Sequence, residues 1–306
     1  MNLSKDYSSE TITLKPDYEG EVIAVLTASN FNTGDRKSIL YLHGYVDYFF
    51  HPHLGEQFNK NNFDFYALDL RKYGRALLPH QHPNYCKDLE EYFEEISITL
   101  RKIKGQGNAI YLLAHSTGGL TASCYMNSGA ERHLVDGLIL NSPFLDFNQT
   151  PFEKTVSQFV ARHIAKLSDY AKITGVLAPA YAQSIHKDYY GEWDFNLKWK
   201  PIKGFPTYFK WVVAIAKGQH SLDVSNIKIP VLVMYSSGSI RTKKYTKDAM
   251  SNDIVLNIED IKRVGKKLGD QVTLMPIDHA QHDIFLSPKA VRDTAFSNMF
   301  SWLSHL

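Results

Sequence analysis

The chain is poor in cysteine, since only Cys86 and Cys124 occur among its 306 residues. Two cysteines support neither a disulfide scaffold nor a cysteine-rich zinc site, so we expect no metal and no other cofactor. No apolar run approaches the roughly 18 residues of a membrane span, so stable membrane insertion is not expected. The first residues, MNLSKDYSSE, lack the apolar core of an export signal, and the default expectation is a cytoplasmic protein.

An excess of charge of one sign is also missing. The 34 Lys and Arg residues nearly balance the 32 Asp and Glu residues, and the formal net charge is +2. No clustered run of basic residues resembles a binding arm, so nucleic acid is not an expected partner. The hydrophobic fraction of 44% is enough for a large core, and one core with an insertion fits the length better than two equal domains.

Residues 111–120 read YLLAHSTGGL, an apolar run that stops at Ser116 before a helix-like stretch. A strand, a sharp turn and a helix force the central residue towards strained backbone angles. They also require small neighbours, which here are Ala114 and Gly118. The turn places the Ser116 hydroxyl at the carboxyl end of a strand, beside the free N–H of Thr117. The pattern predicts a nucleophile elbow, although a glycine-containing strand-to-helix loop has the same pattern.

A nucleophilic serine needs a base, and the chain has 13 histidines to choose from. Two further strand-like runs lie downstream, at 229–235 and 271–277, with a helical pattern between them that Asp253 opens. The base is expected after the last strand, where DHAQHDIF contains His279 and His282. The acid is expected after the strand before it.

Five segments in this order resemble the α/β-hydrolase-fold serine hydrolases, in the branch of serine aminopeptidases, monoacylglycerol lipases and lysophospholipase-like esterases. They are LHGY at 42–45, LDLRKYGRA at 68–76, AHSTGG at 114–119, SNDIVLN at 251–257 and HDIFLS at 282–287. The resemblance implies an α/β fold with a mostly parallel central sheet flanked by helices. It also implies a mainly helical cap, inserted between the sixth and seventh core strands. The core would comprise 1–146 and 227–306, and the cap 147–226.

The resemblance also implies site residues. Ser116 would be the nucleophile, Asp253 the acid and His282 the base. The backbone N–H groups of Tyr45 and Thr117 would form the oxyanion hole, because these residues follow HG and the nucleophile.

Each assignment has an alternative. Asp253 has the sequence position of a plain helix N-cap, and Asp248 and Asp146 are its rivals as the acid. His279 competes with His282, but the match to HDIFLS favours His282.

The chain departs from the family pattern at two places. Ala114 stands where the elbow usually has its first glycine, a change that the turn should tolerate. After Asp69 the chain continues LRKYGR instead of the usual D-x-R-G-H-G, so Lys72 and Tyr73 are expected to alter the loop at the entrance.

Aromatic residues are concentrated late in the predicted cap. Trp193, Trp199, Tyr208 and Trp211 are candidates to line an apolar pocket for an acyl chain. The alternative is that these rings form the cap's own small core, and we expect each interpretation to hold for some of them.

These patterns predict a serine carboxylesterase or lipase-like enzyme that acts on a small-molecule ester through an acyl-enzyme. A short to medium acyl chain is expected, because the cap is small and polar loop residues such as Lys198 and Lys200 give little sign of a membrane-docking surface. One alternative is an aminopeptidase, with Glu192 or Asp194 binding the substrate's amino terminus. The other is a non-catalytic receptor of the same fold. The oligomeric state is left open.

Overall fold

The computed structural model describes residues 5–104 and 109–306, and its strands are β1 to β10 in chain order. Their bounds are Tyr7–Thr13, Ile23–Ser29, Lys37–Leu42, Phe63–Asp69, Ile110–His115, Val135–Asn141, Lys172–Ile173, Thr207–Tyr208, Val231–Ser236 and Val272–Ile277. All except β7 and β8 form one sheet in the order β1-β2-β4-β3-β5-β6-β9-β10.

The sheet is parallel from β4 to β10 and antiparallel where β1, β2 and β4 pair. Every residue of β4, β5 and β9 is buried, because helices cover both faces of the sheet. The carboxyl ends of the parallel strands meet at one edge, where ligands bind in such sheets. The predicted α/β-hydrolase fold is confirmed.

The helices are α1 to α8 in chain order. Their bounds are His53–Lys60, Phe93–Lys104, Thr117–Ser128, Pro151–Leu167, Pro179–Ile185, Phe209–Ser221, Ile258–Gly265 and Lys289–Leu303. On one face α1 and α8 pack through Phe58, Phe296 and Met299, and on the other α2, α3 and α7 contribute to a larger apolar cluster. Of the helices described, none has both the length and the apolar character needed to cross a membrane.

Strands β1 and β2 form an opening hairpin, with Tyr7 opposite Ser29 and a bridge between Asp17 and Gly20. The fully buried Lys72 joins this hairpin to the loop after β4. Its Nζ lies 2.7 Å from carboxylate oxygens of both Asp17 and Glu19. The prediction that Lys72 alters the entrance to the site is therefore wrong, since the side chain pairs inside the protein.

Residues 147–226 lie between β6 and β9, the sixth and seventh strands of the main sheet. They contain α4, α5 and α6, together with the two-residue ladder of β7 and β8. The segment packs on the core through a small apolar cluster of Tyr48, Phe50, Ile185, Phe195 and Leu286. Its role as a cap, and the division of the chain at its ends, stay predictions.

Candidate active site

The turn between β5 and α3 holds Ser116 in a strained conformation, with φ 52° and ψ −117°. A positive φ is uncommon for a residue with a Cβ, and it persists only where the surroundings enforce it. The Ser116 N–H donates to the Asn141 carbonyl at 3.0 Å, which ties the turn to the end of β6. The strand, turn and helix predicted from the sequence are all present.

Glycines allow three segments to meet at this turn. A Cβ on Gly118 would lie 2.3 Å from the His43 carbonyl oxygen, and one on Gly119 would lie 2.8 Å from the Pro143 Cβ. A Cβ on Gly44 would lie 3.1 Å from the Ser116 Cβ. Helix α3 and the loop after β3 therefore approach the turn so closely that only glycine fits without displacement.

Three side chains from separate segments meet beyond the strand ends. His282 Nε2 lies 3.0 Å from Ser116 Oγ, and His282 Nδ1 lies 2.8 Å from Asp253 Oδ2. All three residues are buried. The other Asp253 oxygen accepts the N–H groups of Val255 and Leu256, which fixes the orientation of the carboxylate. A hydroxyl, an imidazole and a carboxylate in this order can activate the hydroxyl as a nucleophile.

Asp253 lies in a loop, and the prediction that it opens a helix is wrong. Helix α7 begins at Ile258, and its N-cap is Asn257, whose side chain accepts the Glu259 N–H at 3.0 Å. The backbone of Asp253 pairs instead with Gly238 and Ile240. The Asp253 carboxylate is therefore left to pair with the histidine.

The rival residues lie elsewhere. Asp146 is ion-paired with Lys154 and Arg263, and Asp248 lies in a short helical turn before the Asp253 loop. His279 is exposed, with a positive φ of 57°. The structure brings none of these three side chains to Ser116.

The two residues expected to donate to an oxyanion lie beside the Ser116 turn. Thr117 is the first residue of α3, and Tyr45 lies in the loop that packs against the elbow through Gly44. In the described part of the chain, neither backbone N–H donates to another protein group. The Tyr45 ring stacks on Trp211 with a centroid separation of 4.1 Å, which holds this loop.

The other predicted pocket residues take part in packing. The Trp193 Nε1 donates to the Leu286 carbonyl at 2.8 Å, and the ring stacks on His53. Trp199 packs edge-on to Tyr48, and Tyr208 packs edge-on to Tyr85. Among the four candidates, Trp211 contacts a predicted oxyanion residue directly, and substrate contact by any of them stays a prediction.

A buried ion pair joins the inserted segment to the loop that contains Tyr45. Nothing in the sequence predicted this pair. Lys200 Nζ lies 2.6 Å from Asp47 Oδ1, and both side chains are buried. Burial alone would raise the pKa of Asp47, but the Lys200 ammonium and two nearby histidines lower it to about 2. Lys200 is therefore not part of a polar surface, which corrects the sequence-based expectation.

Further polar groups surround His282. The His115 ring lies 4.9 Å from the His282 ring, and burial lowers the pKa of His115 to about 4. Asp283 accepts the Asn141 amide at 2.8 Å, and the Tyr181 ring packs edge-on to His282. Neutral His115 therefore adds no positive charge beside His282 near pH 7. In the sequence, His115 lies in the AHSTGG segment and Asp283 follows His282, but nothing indicated that Asn141 or Tyr181 would lie here.

No group of three or more His, Cys, Asp and Glu side chains in 5–104 and 109–306 is arranged to hold a metal ion.

Comparison with known proteins agrees with this architecture. Residues 34–289 match the model of the family described as serine aminopeptidase S33. No curated protein matches the chain in sequence.

Several solved structures are similar in fold. A soluble variant of monoglyceride lipase from Saccharomyces cerevisiae, in complex with a substrate analogue, has a TM-score of 0.72 and 17% identity, covering 97% of this chain and 96% of that one. The monoacylglycerol lipase of Paleococcus ferrophilus has a TM-score of 0.65 and 17% identity, covering 98% and 100%. Est1E from Butyrivibrio proteoclasticus, with ferulic acid bound, has a TM-score of 0.57 and 16% identity, covering 93% and 96%.

Likeness at these identities shows the shared fold, whereas the family match spans most of the chain. The chain belongs to the serine aminopeptidase S33 family and is an α/β-hydrolase-fold enzyme.

Proposed function

We propose that the enzyme cleaves carboxylic esters of small molecules through an acyl-enzyme formed on Ser116. The observation that carries the proposal is the chain of contacts from Ser116 Oγ to His282 Nε2 at 3.0 Å and from His282 Nδ1 to Asp253 at 2.8 Å. The solved structures of the same fold whose names include lipases and an esterase support an ester substrate.

In the first half of the reaction, Ser116 Oγ attacks the ester carbonyl as His282 Nε2 takes its proton. Asp253 accepts the N–H at Nδ1 and stabilises the imidazolium. The carbonyl oxygen becomes an oxyanion, which the backbone N–H groups of Tyr45 and Thr117 receive. His282 then gives its proton to the departing alkoxide, and the acyl group stays on Ser116.

The second half repeats these steps with water. His282 deprotonates a water molecule, the resulting nucleophile attacks the acyl carbonyl, and the same two N–H groups receive the second oxyanion. The Ser116 oxygen leaves with the proton that His282 returns, and the carboxylic acid is released.

The acidic residues considered for an aminopeptidase already have cationic partners. Glu192 is ion-paired with Arg292, and Asp194 lies 2.6 Å from Lys187. A carboxylate that is paired in this way is a poorer site for the ammonium group of a peptide. This favours an ester substrate over an amino-terminal peptide.

The acyl chain is proposed to be short to medium in length. Each buried methylene contributes roughly 0.8 kcal/mol, so binding tightens until the pocket is full. Trp193, Trp199 and Tyr208 pack within the protein, and this leaves fewer aromatic side chains of the insertion to line a long channel. Lys200 is buried and therefore gives no support to a short acyl chain.

The test is a series of p-nitrophenyl esters from acetate upward, assayed with the wild type and with Ser116→Ala. Hydrolysis by the wild type alone, with kcat/KM highest at a short or medium chain, supports the proposal. A steady rise through the longest chains would contradict the proposed length. Cleavage of aminoacyl arylamides without ester cleavage would favour the aminopeptidase, and failure of a fluorophosphonate to label Ser116 would favour a receptor.

A further inference from the structure

Helix α4 exposes a stripe of large apolar side chains. Phe152 is 78% exposed, Phe159 62% and Leu167 87%. Val156 and Val160 are also exposed and lie between them on the same helix. At about 100° per residue these five positions fall on one side of the helix. The exposed apolar surface therefore runs along the helix, with one polar residue inside it, His163, whose ring packs 4.1 Å from the Phe159 ring.

The buried side of the same helix carries small residues. Ala161 and Ala165 are buried where α4 packs on α6. A surface helix usually turns its large apolar residues towards the core, whereas this one turns them outward. Exposed apolar residues continue beyond the helix with Ile173 and Val176. An outward apolar patch of this kind is typical of a surface that binds something else.

Two cations lie beside the stripe. Arg162 and Lys166 are exposed, and among the described residues neither is ion-paired with a carboxylate. By contrast Lys154, on the buried side, is paired with Asp146. A second copy of the chain docked on the same stripe would add two more cations to the contact and no unpaired anion from the stripe itself. A partner with an anionic surface and an apolar interior would bury the apolar stripe and pair with both cations.

We propose that α4 docks the protein on the surface of an anionic lipid bilayer. The helix lies in the plane of the interface, with Phe152, Phe159 and Leu167 below the headgroups and Arg162 and Lys166 among the lipid phosphates. Helix α4 follows the carboxyl end of β6, on the sheet edge where Ser116 lies. Docking therefore brings the candidate active site near the membrane without any spanning segment.

The apolar part is tested by co-sedimentation with vesicles of phosphatidylcholine, with and without phosphatidylglycerol. The Ser116→Ala variant is used throughout, so binding is measured without hydrolysis and does not depend on the proposed reaction. We expect the parent protein to bind the anionic vesicles. In Phe152→Ser/Phe159→Ser the affinity for these vesicles should fall by about tenfold or more. The matched control is Phe31→Ser/Val224→Ser, which removes two exposed apolar side chains that precede core strands and leaves binding unchanged.

The charged part is tested with Arg162→Gln/Lys166→Gln. We expect roughly tenfold weaker binding to anionic vesicles and a smaller dependence on salt. The control Lys266→Gln/Lys267→Gln removes the same charge at the end of α7 and keeps both properties.

Three results would overturn the proposal. One is no binding of the parent protein to anionic vesicles, and another is equal loss in the α4 variants and their controls. The third is a dimer in sedimentation equilibrium that Phe152→Ser/Phe159→Ser converts to a monomer, because the stripe would then be an interface between copies. Circular dichroism and thermal unfolding of every variant separate loss of binding from loss of fold.

Discussion

The turn at Ser116 and helix α4 each follow a buried strand of the same sheet, yet their surroundings are opposite. Gly44, Gly118 and Gly119 allow neighbouring segments to close on the turn within van der Waals distance. Helix α4 rests on α6 through alanines and leaves its largest side chains outside. Close packing on all sides restricts both the residues and the backbone of the turn. The helix is restricted on one side only.

The difference separates two kinds of function on one edge of the sheet. A nucleophile must be held within a few tenths of an ångström of its base, so its surroundings are rigid. A surface that meets a disordered lipid phase needs exposed area and charge more than fixed geometry. Substitutions at the turn should therefore cost activity or stability, whereas substitutions on α4 should change only where the protein binds.

The largest expected effect is at the nucleophile. Ser116→Ala should lower kcat for ester hydrolysis by at least about 10⁴-fold, because no acyl-enzyme can form. Ser123→Ala is the matched control, since Ser123 lies in α3 with its hydroxyl bonded to the Gly119 carbonyl. Initial rates with p-nitrophenyl esters measure both variants. Rates within a few-fold of wild type in folded Ser116→Ala would rule out the mechanism.

The base should show a similar contrast. His282→Gln should lower kcat by about 10⁴-fold, because Ser116 Oγ loses its proton acceptor. His279→Gln, three residues earlier and exposed, should leave kcat within about twofold. The same ester assay compares them, and a greater loss in His279→Gln would show that the base has been misassigned.

The buried ion pair of Asp47 and Lys200 joins the inserted segment to the loop that contains Tyr45. Asp47→Asn should lower the free energy of unfolding by about 3 kcal/mol at pH 7, because Lys200 is left buried without its partner. The pKa of Asp47 is depressed in the folded state, so its contribution is present above the unfolded pKa of about 4 and is lost as pH falls towards 2.

Urea unfolding of wild type and Asp47→Asn between pH 7 and pH 2 measures this contribution. The difference in the free energy of unfolding between wild type and Asp47→Asn should become smaller as the pH falls. A difference that is constant over this range would mean that the carboxylate charge is not what stabilises the contact.

A smaller effect should separate tight glycines from loosely packed ones. Gly118→Ala should lower the free energy of unfolding by about 1–3 kcal/mol, because its Cβ would lie 2.3 Å from the His43 carbonyl oxygen. Gly265→Ala is the control, since its Cβ would lie 3.4 Å from its nearest neighbour, Val233 Cγ1, and the change should be within about 0.5 kcal/mol. Chemical denaturation compares the two. An equal loss of stability in the two variants would mean that the turn at Ser116 relaxes more easily than its close contacts indicate.

Much of the fold could be predicted from the sequence because the signals are local. The buried parallel strands are short apolar runs, and helices such as α2 and α7 carry a one-sided apolar pattern. Ser116 stood out because a strained turn demands small neighbours within a few residues. The contact between Ser116, His282 and Asp253 then follows from topology, since parallel strands end at a common edge.

The sequence alone was less informative where contacts join distant segments. Asp47 and Lys200 are separated by 153 positions, and nothing near either residue indicates that they meet in the interior. The loop position of Asp253, seen in the structure, also depends on backbone pairing with Gly238 and Ile240. Charged residues in loops are usually solvated, so burial of such a pair depends on how two surfaces close over it.

The sequence by itself determined the alternation of strands and helices and the strained serine turn, because these depend on local spacing. The candidate base came from its place after the last strand and from the resemblance of HDIFLS to the family pattern. Only the tertiary structure decided which side of α4 faces the protein, since a helical apolar pattern identifies a stripe but not its partner. Helix α4 packs on α6 through Ala161 and Ala165, because small side chains allow close contact between helices. Phe152, Phe159 and Leu167 are therefore left on the outer side. The same periodicity that elsewhere marks the core here marks the surface.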